Sequence, residues 1–216
     1  MSVAAMFQQL LGGMLTSVEI FVLTLVFSLP LGLFFSFGRM SKNRLIQAIT
    51  KVYISVMRGT PLMLQLLVVY FGPFFLFGIS ITTSYRFVAV IIGFVLNYAA
   101  YFAEIYRAGI ESIPTGQYEA AKILGYSKKQ TFCRIILPQV IKRILPPVTN
   151  EVITLVKDTS LAFAIAVSEM FTAAKAIAAA QATMMPFVIA AIFYYVFNAI
   201  VAIVMGRYEK KLSYYR

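Results

Sequence analysis

The sequence predicts an all-α integral membrane protein that crosses the bilayer five times. Three observations carry that expectation. The 216-residue chain is 61% hydrophobic and only 12% charged, about half the charged share of an ordinary soluble domain. Its apolar residues gather into runs long enough to span a bilayer, which takes about 20 helical residues. Its loops alternate between rich and poor in Lys and Arg.

Each span follows from its run. The first covers 11–38 and the second 52–78, interrupted near its start by Arg58-Gly59-Thr60-Pro61. The third covers 86–110. The fourth covers 132–157 and is bent by Pro138, Pro146 and Pro147. The fifth covers 185–206. Gly and Pro inside such runs are tolerated in membrane helices. The whole chain, 1–216, reads as a single transmembrane domain. Residues 161–181, LAFAIAVSEMFTAAKAIAAAQ, are apolar but short, and Ser168, Glu169 and Lys175 break them. The stretch of about 160–180 is expected to be re-entrant or interfacial, with a sixth span as the alternative. Glu169 and Lys175 are expected to be solvated charges on the outer face.

Orientation follows from the basic residues, which stay on the cytoplasmic side. Arg39, Lys42, Arg44 and Lys51 follow the first span. Lys122, Lys128, Lys129 and Arg134 follow the third. Arg207, Lys210, Lys211 and Arg216 form the tail. Residues 1–10 hold no Lys or Arg, the second-to-third loop only Arg86, and residues 158–184 only Lys175. Five spans with the N-terminus outside and the C-terminus in the cytoplasm satisfy every loop. Six spans place the basic tail outside. Tyr208, Tyr214 and Tyr215 read as an interfacial belt beside Lys210 and Lys211.

Several function classes are excluded or weakened. The net charge of +11 does not point to nucleic acid, because no basic stripe with interleaved aromatics is present. The single cysteine, Cys133, allows no intrachain disulfide, and the lack of histidine removes His-based metal sites. No metal site and no catalytic residue is expected. An uncharged start to the chain weighs against a cleaved signal peptide. No G-x-x-x-x-G-K-[ST] loop occurs, so this chain does not read as a nucleotide hydrolase.

One cytoplasmic stretch stands apart: EAAKILGYSKKQTFCRIILP, residues 119–138. Pro114-Thr115-Gly116 makes a turn, with Thr115 as N-cap. A helix over 115–125 follows, carrying Glu119 near its positive end. Gly125 suits the C′ position. Ser127 caps the next helix, whose apolar residues lead into the membrane. Ala120 and Ala121 form a small face that another surface can approach. From the residues alone, two readings stay open: a plain interfacial connector, or a docking element.

Glu119-Ala120-Ala121, three residues, Gly125, nine residues, Ile135, one residue and Leu137-Pro138 resemble the EAA loop of permease subunits of bacterial ABC importers. Arg58-Gly59-Thr60-Pro61, residues 97–121 and residues 150–161 resemble the polar amino acid permeases, the histidine, glutamine, arginine and opine group. The resemblance covers about residues 10–212. It implies a type I ABC importer permease fold with five transmembrane helices, in a bacterial cytoplasmic membrane. It implies that residues 115–125 form a coupling helix, with Glu119, Ala120, Ala121, Gly125, Leu137 and Pro138 carrying contact to a separate ATPase. The implied partners are an ATPase dimer, an extracytoplasmic substrate-binding protein and a second permease chain, identical or similar. ATP and Mg2+ belong to the ATPase, and this chain carries no cofactor of its own.

Polar side chains at membrane depth need a partner or a wet cavity. Asn97 and Tyr101 share one face of the third span. Glu151, Thr154 and Asp158 share one face of the fourth, followed by Thr159 and Ser160. Two facing polar stripes make a path for a zwitterionic or cationic solute, and carboxylates suit an ammonium or guanidinium. The alternatives are structural: Asn97 bonding a neighbouring helix, Asp158 neutralising Lys157, and Glu104 pairing with Arg58. The last is expected as a structural ion pair. The reading is a transmembrane importer subunit for polar L-amino acids, leaning to basic ones, working by alternating access. The rivals are an ion-gradient-driven secondary transporter or channel, opposed by the lack of an internal repeat, and a non-transporting scaffold, which has no need of Asn97, Glu151 and Asp158 in the membrane.

Overall fold

Backbone amides in hydrocarbon must be satisfied within their own segment, and every regular element among the described residues is helical. The computed structural model describes residues 3–212. Tyr214, Tyr215 and Arg216, expected in the tail, lie outside them.

Helix α1 (Val3–Arg39) runs beyond the expected first span and contains Pro30. It packs along α4 (Tyr85–Glu111). Ser17, Thr24 and Ser28 are fully buried, and Gly32 meets α4 so closely that a Cβ there would lie 2.7 Å from the Phe102 Cβ. Small residues let two backbones approach where the hydrophobic effect cannot drive helices together.

The expected second span, 52–78, is not one helix. Helix α2 (Arg44–Gly59) starts eight residues earlier, where the Asn43 side chain accepts from the Leu45 amide. It meets α3 (Leu62–Phe77) at 112°. Thr60 is extended before Pro61, as a pre-proline residue prefers. Gln65 holds the bend, its amide nitrogen donating to the Met57 carbonyl (2.9 Å), the Thr60 carbonyl (3.1 Å) and the Thr60 hydroxyl (2.8 Å). Helix α3 closes at Gly78, whose φ is +66°.

Helix α4 matches the expected third span and carries much of the buried core, including Phe94, Tyr98 and Phe102. Helix α5 (Thr115–Ile123) and the short α6 (Lys128–Gln130) follow. A wider π-type turn, Thr131–Ile136, leads into α7 (Leu137–Asp158), which contains Pro146 and Pro147. A 3-10 segment, Thr159–Ile165, ends at Ala166 with φ +57°. Helix α8 (Met170–Gln181) and helix α9 (Met185–Leu212) complete the chain.

Three helices, Ala4–Arg39, Tyr85–Glu111 and Met185–Leu212, are long and apolar enough to cross a membrane. Two bent pairs raise the number to as many as five if each pair is one crossing. Helix α8 has 12 residues, rising about 18 Å at 1.5 Å per residue, short of a hydrocarbon core of about 30 Å.

Glu169 departs from the sequence reading. It is fully buried rather than solvated. It caps α8, accepting from the Phe171 amide (2.7 Å), the Thr172 amide (2.7 Å), the Thr172 hydroxyl (2.8 Å) and the Tyr194 hydroxyl (3.1 Å). A free helix start inside the fold leaves amides that need an acceptor, and Glu169 supplies it. Lys175 is exposed, its ammonium 5.7 Å from the Phe163 ring centroid.

Candidate functional site

Two cavities open side by side against α4 and α7, one walled by the start of α3 and the other by the end of α2. The central one, about 400 Å³, is lined by Thr60, Pro61, Leu62, Asn97, Tyr98, Tyr101, Glu151, Thr154 and Asp158. The bend between α2 and α3 contributes one wall, and the polar stripes of α4 and α7 the others. The second, about 520 Å³, is lined by Arg58, Tyr101, Glu104, Ile105, Ala108, Gly109, Ser112, Arg143, Pro147 and Glu151. Tyr101 and Glu151 belong to both.

The expected pathway residues are brought together in part. Asn97, Tyr101, Glu151, Thr154 and Asp158 share the central cavity. Asn97 also bonds a neighbouring segment: its amide nitrogen donates to the Met57 carbonyl (3.1 Å) and to Gln65 Oε1 (2.9 Å). Asp158 accepts from the Tyr98 hydroxyl at 2.7 Å. Thr159 and Ser160 do not line this cavity. Thr159 is fully buried and donates to the Val156 carbonyl (2.8 Å). Ser160 donates to the Lys157 carbonyl (2.8 Å) and borders a separate pocket with Lys157 and Tyr194. The 3-10 turn rotates both away from the stripe that α7 presents.

The expected Arg58–Glu104 ion pair is replaced. Glu104 takes Arg107 (Nη2–Oε2, 2.7 Å) and Arg39 (3.6 Å), and Arg107 also reaches Glu111. Arg107 is one turn along the same helix, so pairing costs little side-chain entropy, whereas Arg58 comes from the end of a separate helix, α2. The Arg58 guanidinium lies over the Tyr101 ring, 5.3 Å from its centroid.

On the segment after α4, the N-cap position of α5 is Pro114, not the expected Thr115. Thr115 is the first helical residue, and no side chain caps this end. The C-terminus follows the sequence reading. Gly125 has φ +78°. Its amide donates to the Lys122 carbonyl (3.1 Å) and the Tyr126 amide to the Ala121 carbonyl (3.0 Å), the paired bonds of a Schellman close. Ser127 and Gln130 then form a capping box.

The two alanines divide. Ala121 is buried within this chain, while Ala120 and Glu119 are exposed. Helix α5 rests on the Thr131–Ile136 segment, so only one alanine is left to face outward. Leu137 is half-buried and Pro138 exposed at the start of α7.

Sequence reasoning missed three features. Ile123 and Leu124, 86% and 73% exposed, form an apolar knob beside Lys122. Apolar residues on a water-facing segment were the available signal. Gln65, the organiser of the bend, was visible as a lone amide in LMLQLLVVYF. The Tyr98–Asp158 bond had no signal in spacing.

The chain is similar to known transport proteins along nearly its whole length. Residues 28–214 match the family described as binding-protein-dependent transport system inner membrane component. The chain is 36% identical over 206 residues to the L-cystine transport system permease protein TcyB of Bacillus subtilis, covering 94% of this chain and 86% of that one. It is 38% identical over 205 residues to the arginine transport system permease protein ArtQ of the same organism, covering 94% and 92%. A putative glutamine transport system permease protein GlnP of Rickettsia bellii is 34% identical, covering 93% and 91%. A crystal structure of an amino acid ABC transporter with histidines superposes with a TM-score of 0.87 at 30% identity, covering 98% of this chain and all of that chain. The inward-facing MetNI methionine ABC transporter shares the fold, with a TM-score of 0.71 at 16% identity over 99% of this chain and all of that one. With its helical architecture and its relatives in agreement, the chain belongs to the family of binding-protein-dependent transport system inner membrane components, the permease subunits of ABC importers.

Proposed function

We propose that this chain moves polar L-amino acids inward across a bacterial cytoplasmic membrane by alternating access, driven by a separate ATPase. The observation that carries the reading is the central cavity, in which Glu151 and Asp158 face Asn97 and Tyr101. An amino acid always presents an ammonium, which these carboxylates suit. The relatives named for cystine, arginine and glutamine support the substrate class. The second acidic residue supports a lean to basic amino acids.

The proposed partners are an ATPase dimer that binds ATP and Mg2+, an extracytoplasmic substrate-binding protein, and a second permease chain that completes the path. Helix α5 is the docking element, with Glu119, Ala120, Ile123 and Leu124 outward. Gly125 closes the helix, and Leu137-Pro138 anchors its return to the membrane.

Glu151→Gln keeps shape and removes charge. Uptake of labelled arginine or glutamine by the reconstituted complex is expected to fall about tenfold or more, as for loss of a charge-assisted hydrogen bond of about 1.5–3 kcal/mol. Unchanged uptake of both would make Glu151 structural.

The proposed topology is five crossings, N-terminus outside, C-terminus cytoplasmic. In a background lacking the exposed Cys133, an external thiol reagent is expected to modify a cysteine at Ser80 and spare one at Lys42. Both positions are exposed, so the reversed pattern would contradict the topology.

A further inference from the structure

Arg58 is a cation beside a membrane cavity, within charge range of Glu104 and Glu151 but in direct contact with neither. Among the described residues its guanidinium makes no ion pair within 4.0 Å. The nearby Glu104 is occupied by Arg107 and Arg39. The Arg58 side chain is exposed along the cavity, so an entering solute can reach it. Stacking over Tyr101 holds the guanidinium by its face. Its edge N–H groups, the fork that grips a carboxylate, stay available.

The surroundings share this polarity. Arg58 lines the same cavity as Glu151, and Tyr101 and Glu151 continue into the central cavity with Asp158. The wall beside Arg58 is the start of α3, at Thr60, Pro61 and Leu62. A helix start carries partial positive charge. The joint cavity holds both signs: Arg58 beside the start of α3, with Arg143 on α7, and the carboxylates Glu104 and Glu151, with Asp158 farther along.

We propose that Arg58 and Glu151 together recognise the α-carboxylate and α-ammonium common to all amino acids, leaving the central cavity, with Asp158, to read the side chain. This rests on the amino acid import reading above. It assigns to Arg58 a specificity role: it rejects solutes without a carboxylate. Arg58 leaves the Tyr101 face only as far as the carboxylate draws it.

The test is direct binding to the detergent-solubilised permease–ATPase complex, without substrate-binding protein. Labelled arginine, glutamine and cystine are measured by scintillation proximity. The tightest of them is then competed by itself and by its α-carboxamide, which keeps the ammonium and loses the carboxylate charge. In the wild type the carboxamide is expected to bind about tenfold more weakly. Arg58→Gln is expected to weaken the parent amino acid about tenfold and leave the carboxamide unchanged, so the discrimination vanishes. Arg58→Lys, which keeps charge but lacks the fork, is expected to discriminate less than the wild type. Wild-type discrimination in both variants would overturn the assignment while leaving the import reading intact. A wild-type complex that binds none of the three would overturn both.

Discussion

Replacing Ile123 and Leu124 together by aspartate is expected to abolish substrate-stimulated ATP hydrolysis and uptake while the chain inserts and folds at wild-type yield. Both side chains are more than two-thirds exposed, so the substitution removes no contact within this chain. It puts two charges where the proposed docking seats an apolar knob in a partner's groove. Burying an unpaired charge is costly enough to prevent docking. Gly125→Val attacks the same element through its backbone. A β-branched residue at φ +78° costs on the order of 1–3 kcal/mol and unpicks the Schellman close. No side chain lies within 4 Å of the Gly125 Cβ position, so the effect is one of conformation, not crowding. Hydrolysis assays on the reconstituted complex, with and without substrate, measure both variants. Wild-type stimulation in both would remove α5 from the coupling role. Ala121 is a poorer probe, because its burial within the chain mixes folding with docking.

Glu169→Ala is expected to destabilise the fold strongly. It strands the backbone amides of Phe171 and Thr172 and the Thr172 hydroxyl, and removes one partner of the Tyr194 hydroxyl. Each buried group left unsatisfied costs roughly 1–3 kcal/mol. The loss also uncaps α8 beside Gly13, where a Cβ would stand 2.9 Å from the Met170 Cα, so the break has little room to reorganise. Thermal unfolding of the solubilised protein measures it: the alanine variant should melt far below wild type or fail to accumulate. Glu169→Gln keeps one acceptor oxygen and should recover part of the loss. A wild-type melting temperature for Glu169→Ala would show that the network contributes nothing.

How much of this was legible in the sequence depends on how local each cause is. Helices α1, α4 and α9 were legible because run length and hydropathy decide them. The end of α5 and the cap at Ser127 were legible because Gly125 and the Ser127–Gln130 pair act within a few residues. The 112° bend was legible only as an interruption. Its angle is set by Gln65 and Asn97 meeting Met57 and Thr60 across two helices. The Arg58–Glu104 expectation failed because a cation one turn away on the same helix competes better than one on α2. Glu169 was misread because nothing in SEMF separates a solvated glutamate from a buried cap. Thr159 and Ser160 were assigned by continuing the α7 stripe, and the helix narrows to a 3-10 turn at that point. The cavity pairing Glu151 with Asn97 was legible because both stripes keep helical spacing.

The central claim is that this chain carries an amino acid path whose movement another protein's ATP hydrolysis drives. The measurement that tests it most directly is uptake of labelled polar amino acids into proteoliposomes holding the permease, its co-purifying ATPase and the external binding protein. The account predicts accumulation that requires ATP and Mg2+ on the ATPase side, persists when ion gradients are collapsed with ionophores, and is lost in the Ile123→Asp, Leu124→Asp double variant. Accumulation that follows an imposed ion gradient without ATP, or that survives the double variant, would contradict it.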